Sequence, residues 1–339
     1  PENGTSTNNK LGILMQYTQL GNLTVSRIGL GCMGMSWLYP KPELNDADSI
    51  KVIHRAIELG VTHFDTAEIY GPYLNEVLVG KALKGKRDQV VIATKMGNMT
   101  GHGSERTRGL DSSPANIRYA VEESLKRLDT DYIDLYYQHR VDPKVPMEDV
   151  IGTMAELIGE GKIRHIGLSE AGITNIRKAH AVHPITALQS EYSLWTRDGD
   201  DGTLDLLTEL GIGFVPYSPL SRAMLTGKIR DREGFAAGDF RASNPRFVEG
   251  AFETNLERFG EIDSIAAEVG CTPAQLAIAW VLAKGADWSP IPGTTRIDHL
   301  EEDLGALDVV LSADVMARLD AVTQPEGDHH GPGAGLDRG

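Results

Sequence analysis

Basic residues, cysteines and long apolar runs are all scarce in this sequence of 339 residues. Its 33 lysines and arginines face 48 aspartates and glutamates, which leaves a formal net charge of −15. So acidic a chain lacks the positive surface of a protein whose main partner is nucleic acid. No apolar stretch approaches the ~20 residues of a membrane-spanning helix and no signal peptide is evident, so we predict neither a nucleic-acid nor a membrane partner.

Cysteine is limited to Cys32 and Cys271, too few for a disulfide framework or a cysteine-based zinc site. This scarcity fits a reducing compartment, and we predict a cytoplasmic protein. An adjacent histidine pair such as His329 and His330 can bind a metal ion adventitiously, but these two lie in a stretch rich in glycine and charge, where we expect them to be solvated. We therefore predict no metal site.

The body of the chain, residues 16–322, alternates short apolar strands with amphipathic helices. Most steps from one strand to the next span roughly 20–45 residues, the size of one βα unit. We count eight strands, which end near Leu30, Asp65, Lys95, His139, Ser169, Glu191, Tyr217 and Pro292. Eight βα units predict a single α/β domain, a closed (β/α)8 TIM barrel.

Segments outside and between these units also carry predictions. We expect residues 1–15 to form a disordered or added leader, with Met15 as the natural start, and residues 323–339 a flexible tail. Residues 16–28 predict a short β-hairpin with a Gly-Asn turn, able to close the bottom of the barrel. The longest irregular stretch, residues 218–252, follows the seventh strand, where barrel loops are usually functional.

Helix ends are marked by specific residues. Ser113 is a suitable N-cap and Pro114 suits the first helical position after it. A later helix runs towards Gly161, a residue type common at helix C-termini. These signals fix the ends of two of the helices that separate the strands.

Polar residues end several consecutive strands. Asp65 and Lys95 each close an apolar run, Tyr70 follows five residues after Asp65, and His139 ends the run IDLYYQH. Because a barrel brings strand ends to one rim, we expect these side chains to converge. They suit a phenolic general acid, in which the ammonium lowers the pKa of the phenol and the carboxylate keeps the ammonium charged. Glu76 is expected to begin a helix and complement its dipole.

Each of these residues alone has a simpler explanation, since a strand-end aspartate or histidine often caps a loop. Together they are informative, because charged residues rarely end consecutive buried strands without pairing. Two other chemistries stay open. One is a metal-dependent barrel hydrolase that uses His63, Asp65, Lys95 and His139, and the other is a Schiff-base lyase through Lys95.

The segment from Gly29 to Gly34 satisfies the pattern G-x-G-x-x-G of dinucleotide-binding folds. That fold also requires a helix directly after the glycines and a second strand that ends in an acid. Residues 35–44 (MSWLYPKPEL) instead continue as a loop with two prolines. We therefore reject the Rossmann interpretation.

Longer stretches around these residues resemble the aldo-keto reductase family. The family pattern G-x-x-x-x-D-T-A-x-x-Y-G matches residues 60–71, and its lysine motif matches ATK. The resemblance runs from about residue 16 to 322, and stretches such as GKIRHIGLSEA resemble a plant and microbial branch that includes perakine reductase. It implies an NADPH-dependent reduction of an aldehyde or ketone to an alcohol, with the catalytic residues Asp65, Tyr70, Lys95 and His139.

The resemblance also implies a cofactor site at the mouth of the barrel. Its nicotinamide part comprises Gly31, Cys32, Met33, Asp65, Ser169, Glu170, Gln189 and Tyr217. Its pyrophosphate loop comprises Ser218, Pro219, Leu220, Arg222 and Lys228. Its adenosine-phosphate clamp comprises Gly293, Thr295, Arg296, His299, Glu302 and Asp303.

Three of these positions decide how the cofactor is recognised. Glu170 stands where the family often has asparagine, and an ionised glutamate cannot donate to the carboxamide oxygen. Asp303 also replaces a preferred asparagine but can accept from the adenine amino group. Arg296 favours NADPH over NADH, because a guanidinium pairs well with a phosphate dianion. Its simpler role is a surface arginine that balances Glu302.

The substrate is expected to be a small-molecule carbonyl compound. We predict that Trp37, Tyr39 and Trp195, with parts of residues 222–252, line an aromatic mouth, although ordinary loop packing explains each of them equally well. A regulatory subunit resembling the potassium-channel β proteins is the alternative from a non-enzymatic class. It would show slow turnover and a stable partner complex.

Overall fold

The computed structural model describes Gly12 and residues 14–39, 45–99 and 109–330. Most of the predicted leader and the last nine residues of the predicted tail lie outside these ranges. The strands are β1 (Tyr17–Leu20), β2 (Leu23–Ser26), β3 (Leu30–Gly31), β4 (His63–Asp65), β5 (Val91–Met96), β6 (Ile133–Gln138), β7 (Ile163–Ser169), β8 (Ala187–Glu191) and β9 (Gly213–Tyr217).

Helices follow the strands in regular alternation. They are α1 (Asp46–Glu58), α2 (Leu74–Leu83), α3 (Pro114–Leu128), α4 (Met147–Gly159), α5 (Ile173–Val182), α6 (Thr203–Leu210), α7 (Ala251–Val269), α8 (Pro273–Lys284), α9 (Ile297–Leu304) and α10 (Ala313–Asp320). In the described part of the chain no single helix could cross a membrane by length and composition. Only α7 and α8 together meet that test, with a bend of 86° between them.

Strands β3 to β9 form one parallel sheet in sequential order. Residues 288–293 close this sheet into a barrel, because their backbone bonds both edges. The closing bonds run from Gly29 N to Pro290 O (2.9 Å), Gly31 N to Pro292 O (3.1 Å), Ser289 N to Phe214 O (3.0 Å) and Ile291 N to Pro216 O (3.0 Å). The predicted (β/α)8 barrel is confirmed, with residues 288–293 as its eighth strand.

The β1–β2 hairpin closes the amino-terminal end of the barrel, as expected. Its Leu20, Leu23 and Val25 pack with inward-facing residues of the barrel strands in one buried cluster. Gly213 permits the contact, because a Cβ there would lie 2.5 Å from the Cα of Leu20. This end of the molecule is a packed core and not an opening.

Helix ends follow the predicted signals. Ser113 caps α3, its side chain accepting a bond from Asn116 N, and Pro114 occupies the first turn. Helix α4 ends at Gly159, and Gly161 follows in a left-handed conformation with a φ of 77°. The helices bury their apolar faces against the outside of the sheet in the larger core cluster.

The described residues include eight non-glycine residues with positive φ. Asp129 ends α3, while the other seven lie in loops that follow strands, on the carboxyl-terminal face of the barrel: Leu38, Tyr73, Glu170, Ser218, Ser221, Arg222 and Ala223. This conformation costs free energy for a residue with a Cβ. Backbone strain is thus concentrated at the face where barrel active sites form.

The first part of the predicted tail is held against the barrel. The side chain of Asn255 bonds both the N–H and the carbonyl of Glu326, at 2.7 and 3.0 Å. Asn244 Nδ2 donates to the carbonyl of His329 at 3.0 Å, and His329 is only 6% exposed. Side-chain amides far away in sequence therefore fix residues 323–330, which differs from the expected solvated pair of histidines.

Candidate active site

Lys95 is the centre of a buried hydrogen-bond cluster at the carboxyl end of β5. Its Nζ donates to Asp65 Oδ1 at 2.5 Å, to Thr66 O at 2.8 Å and to Tyr70 Oη at 3.1 Å. Adjacent parallel strands deliver the first pair, since Asp65 ends β4 beside β5. Lys95 is fully buried and Asp65 is 2% exposed, so the ion pair is shielded from water. The structure thus brings three of the four predicted catalytic residues into direct contact.

Burial governs the pKa of Tyr70. It raises the pKa of the phenol above its usual range, and Lys95 offsets only part of that rise. Our expectation that Lys95 brings this pKa down is therefore wrong in its net direction. Burial acts against the charge of Lys95 as well, but Asp65 and Tyr70 together raise its pKa. At neutral pH the cluster holds a protonated phenol beside an ammonium.

His139 follows β6 and completes the predicted set. Its ring meets the ring of Tyr70 edge-on, with 6.0 Å between centroids. Burial, then Arg140 and Lys95, lower the pKa of His139 well below its usual range. The imidazole is therefore neutral, with one N–H to donate. It can orient a carbonyl oxygen but is a poor source of a proton.

The edge formed by β7 and β8 holds the residues predicted beside the nicotinamide. Gln189 Nε2 donates to Asp65 Oδ2 at 2.8 Å, so it completes the carboxylate's hydrogen bonding. Ser169 Oγ accepts a bond from Arg140 Nη1 at 3.1 Å. Glu170 Oε1 accepts from the backbone N–H of Glu191 at 2.9 Å. The carboxylate of Glu170 is therefore already engaged within the protein.

Two acidic or basic residues near the cluster have structural partners. Glu76, on α2, accepts from Thr94 Oγ1 at 2.7 Å and from Arg127 Nε at 2.6 Å, which ties α2 to β5 and α3. His63 lies 3.1 Å from Ser289 Oγ, at the seam where the barrel closes. The hydrolase interpretation used His63 as a metal ligand. In the structure its Nδ1 atom contacts Ser289 at the seam.

The glycines of the rejected Rossmann motif have a structural reason. Gly31 forms a parallel bridge with Gly293, and a Cβ on Gly31 would lie 2.8 Å from Ile291 O. Cys32 is buried and Met33 begins a 3-10 helical turn. The first loop therefore starts directly beside the residues of the predicted adenosine-phosphate clamp.

The clamp residues stand at the entrance of α9. Arg296 is the N-cap residue of this helix, and it forms a two-bond pair with Asp298, at 2.9 and 2.6 Å. In its simpler role Arg296 was expected to balance the charge of Glu302. Glu302 instead pairs with Lys228. Burial, and then Glu302, raise the pKa of Asp303 well above its usual range. The remaining clamp residues, Gly293, Thr295 and His299, lie in the turn before α9 and in its first turn.

The loop after β9 carries the residues predicted along the pyrophosphate. Tyr217 ends the strand, and its buried hydroxyl has no hydrogen-bond partner among the described residues. Ser218, Pro219 and Leu220 follow. The guanidinium of Arg222 lies 3.4 Å from Glu191 Oε2 and over the ring of Phe240. The lysine–glutamate pair between Lys228 and Glu302 then links this loop to α9.

The three aromatic residues predicted at the mouth have different positions. The ring of Trp37 lies 5.7 Å from that of Tyr70 between centroids, so it borders the cluster. Arg241 lies over the ring of Tyr39 at 5.1 Å. Trp195 is 1% exposed, and it borders a separate cavity of about 500 Å³ with none of the four predicted catalytic residues in its lining. Its role at the mouth is not supported.

We predicted no role at the site for three residues that the structure places there: Arg140, Glu191 and Arg246. Arg140 lies close enough to Tyr70 to lower the pKa of its phenol in part. Arg246 donates to Thr196 Oγ1, Ser221 Oγ and Trp195 O, and so joins the loop after β8 to the loop after β9. The position of Arg140 directly after His139 was the one available signal. The contacts of the other two depend on loop conformations that no local pattern specifies.

A closed eightfold barrel with a buried lysine–carboxylate pair, a phenol and an imidazole at its carboxyl-terminal rim has the architecture of a barrel oxidoreductase. The model of the aldo/keto reductase family matches residues 27–324. The chain belongs to that family. Its members are oxidoreductases that act on small carbonyl compounds and generally use nicotinamide cofactors.

Relatives and solved structures agree with this membership. The chain is 47% identical over 301 residues to "Probable aldo-keto reductase 1" of Glycine max, covering 88% of this chain and 86% of that protein. The glycerol dehydrogenase AKR11B4 from Gluconobacter oxydans superposes with a TM-score of 0.82 at 28% identity, covering 90% and 94% of the two chains. The thermostable aldo-keto reductase Tm1743, in complex with the inhibitor epalrestat, gives 0.74 at 30% identity, covering 91% and 100%.

Proposed function

We propose that this protein reduces an aldehyde or ketone to an alcohol with NADPH, and that Tyr70 is the proton donor. The observation that carries the proposal is the bond between Tyr70 Oη and Lys95 Nζ at 3.1 Å, inside a cluster that also contains Asp65. The raised pKa of Tyr70 keeps the phenol protonated until it is needed.

Each residue of the cluster has a distinct role in this reaction. When bound, the nicotinamide supplies the hydride that the carbonyl carbon receives. Tyr70 gives its proton to the carbonyl oxygen, and the Lys95 ammonium stabilises the phenolate that is left. Asp65, held by Gln189, keeps Lys95 charged and in place. The neutral His139 donates a hydrogen bond that orients the carbonyl.

Several features of the described residues support the proposal of an NADPH site. Tyr217 presents a buried hydroxyl without a partner, and the loop after it holds four non-glycine residues with positive φ, a strain typical of ligand clamps. Arg296 is 58% exposed in its side chain, so its pair with Asp298 can exchange for a phosphate. We propose that Ser169, Gln189 and Tyr217 hold the nicotinamide and that Arg296 recognises the 2′-phosphate. The two free cysteines agree with a cytoplasmic location.

The test is an assay with a panel of aromatic, aliphatic and sugar aldehydes and ketones. The loss of NADPH absorbance measures the reduction of each compound. At least one should be reduced by the wild type, and Tyr70→Phe should lower its turnover by roughly 100- to 10,000-fold, the usual value of general acid catalysis. NADPH binding, measured by fluorescence titration, should be retained. Tyr119→Phe is the matched control, because Tyr119 is 53% exposed on α3. Wild-type turnover in Tyr70→Phe would contradict the assignment.

A further inference from the structure

Two histidines and a glutamate meet where the end of the chain crosses the barrel rim. Glu191 ends β8, and His329 and His330 belong to the segment that Asn244 holds against the loops. One donor atom from each of the three side chains lies within 4.8 Å of the other two. None of them is among the residues placed in the proposed reaction.

The three side chains lack strong partners. Nε2 of His329 and Nε2 of His330 are both buried without a hydrogen bond, and Glu191 is 1% exposed. The contacts of the Glu191 carboxylate with Arg222 Nη2 and Thr196 Oγ1 are both 3.4 Å long. Good charge-assisted bonds measure roughly 2.7–2.9 Å. A buried carboxylate and two buried imidazole nitrogens with such weak contacts are costly unless another group binds them.

We propose that Glu191, His329 and His330 form a site for a divalent transition-metal ion of the zinc class, which fastens residues 323–330 to the rim. Two imidazoles and one carboxylate are a donor set that such ions prefer, and they leave a fourth position for water. Donor atoms on a tetrahedral zinc ion are about 3.4 Å apart. Side-chain rotations that bring the three donors closer by about 1.4 Å at most complete the geometry.

The charges around the site permit a cation. Arg222, Arg246 and Arg140 lie near the two histidines and oppose it. Four carboxylates surround the same rings: Glu191 itself, Glu170, Asp198 and Asp328. The four carboxylates therefore balance the three guanidinium groups in number.

A cavity lies next to the site. The open cavity of about 500 Å³ is lined by Asp198 and Arg246 among others. Asp198 Oδ2, on the cavity wall, is 3.5 Å from His329 Nε2, so one residue separates the cavity from the histidine ring. Gly327 makes the approach of the segment possible, because a Cβ there would lie 2.6 Å from Pro245 O.

The test uses the full chain, stripped with a chelator and dialysed, and cobalt(II) as the probe. We expect one equivalent bound with visible absorption typical of mixed nitrogen and oxygen ligands, and a thermal midpoint that rises on zinc addition. His329→Gln and His330→Gln should each weaken cobalt binding by at least about tenfold. Even the loss of a residue that only hydrogen-bonds a metal ligand lowers metal affinity by about that factor. His183→Gln is the matched control, since His183 caps α5 at the opposite face.

Unfolding curves of the metal-free proteins distinguish a variant that has lost a metal ligand from a variant that no longer folds. His330 is only half-buried, so His330→Gln should unfold like the metal-free wild type and decides the question if His329→Gln does not fold. Equal cobalt affinity in the wild type and in His330→Gln would overturn the proposal, and so would a wild type that retains no metal at micromolar concentration. Both outcomes are independent of reductase activity.

Discussion

At the scale of single residues, Arg296 decides the proposed preference between the two nicotinamide cofactors. Its guanidinium makes two bonds to Asp298, and both side chains are more than half exposed. A phosphate dianion can replace the carboxylate with the same two-bond geometry and a greater charge. NADH offers only a hydroxyl at that position.

Replacement of Arg296 should therefore separate the two cofactors. We expect Arg296→Ala to raise the KM for NADPH by roughly tenfold or more, the value of a charged hydrogen bond, and to leave the KM for NADH nearly unchanged. Steady-state kinetics with each cofactor measures this. Arg177→Ala is the matched control, because Arg177 makes the same kind of two-bond pair with Glu209. Equal changes for both cofactors would remove Arg296 from the clamp.

Glu68 links the stability of the protein to pH. Burial, and then Glu76, raise the pKa of the Glu68 carboxyl to about 8 from an ordinary value of 4.5. Between these values the folded state holds a proton that the unfolded state releases. The contribution of Glu68 to the free energy of unfolding is therefore greatest below about pH 4.5, and it falls as pH rises towards 8.

Glu68→Gln should remove this dependence. The amide keeps the oxygen that accepts from Gly97 N at 2.9 Å and carries no charge. Relative to the wild type, the variant should gain on the order of 1 kcal/mol of unfolding free energy for each pH unit between about 5 and 8. Urea unfolding at three pH values measures the gain. A difference that stays constant with pH would show that Glu68 ionises normally.

At the scale of elements, the β1–β2 hairpin depends on one glycine of β9. A methyl group on Gly213 would overlap the backbone of Leu20, which cannot move without displacing the hairpin. We expect Gly213→Ala to lower the free energy of unfolding by about 1–3 kcal/mol, the usual cost of overpacking. Denaturant unfolding measures it.

Gly260→Ala is the control of opposite sign for this prediction. Gly260 lies in α7, and a Cβ there would meet no atom within 4 Å. Alanine should stabilise the helix by about 0.5–1 kcal/mol. If Gly213→Ala is as stable as the wild type or more stable, then the hairpin shifts and relieves the overlap at Gly213.

Elements were predictable from the sequence where local chemistry decides them. The strand end at Asp65, the strand end within one residue of Lys95, the cap at Ser113 and the hairpin follow from apolar patterns and turn residues. The packing of residues 323–330 was not predictable, because it depends on Asn244 and Asn255, which lie more than 70 residues away in sequence. The net pKa of Tyr70 was misjudged for a related reason, since burial is a property of the whole fold.

At the scale of the molecule, the two ends of the barrel sheet meet at one seam. Gly31 and Gly293 bridge there, and residues 293–296 of the candidate clamp follow directly. Barrel closure and the proposed cofactor clamp therefore share the same backbone. A change that opens the seam should affect both.

Gly31→Ala tests this coupling, since its Cβ would lie 2.8 Å from Ile291 O. We expect a loss of about 1–3 kcal/mol in unfolding free energy together with weaker NADPH binding. Gly34→Ala is the control from the same motif, because its nearest atom would be at an ordinary 3.6 Å. Calorimetry and fluorescence titration give the two quantities. Loss of stability with unchanged NADPH affinity would show that closure and binding are separate.

The hairpin that fills the amino-terminal end has a practical consequence. The residues assigned to chemistry all lie at the other end, so a support attached at the hairpin faces away from them. Gln19 is exposed on β1 and is a suitable position for a single reactive cysteine, since Cys32 is buried and Cys271 half-buried. Immobilised through that position on a bead or an electrode, every molecule would present its open mouth to the surrounding solution.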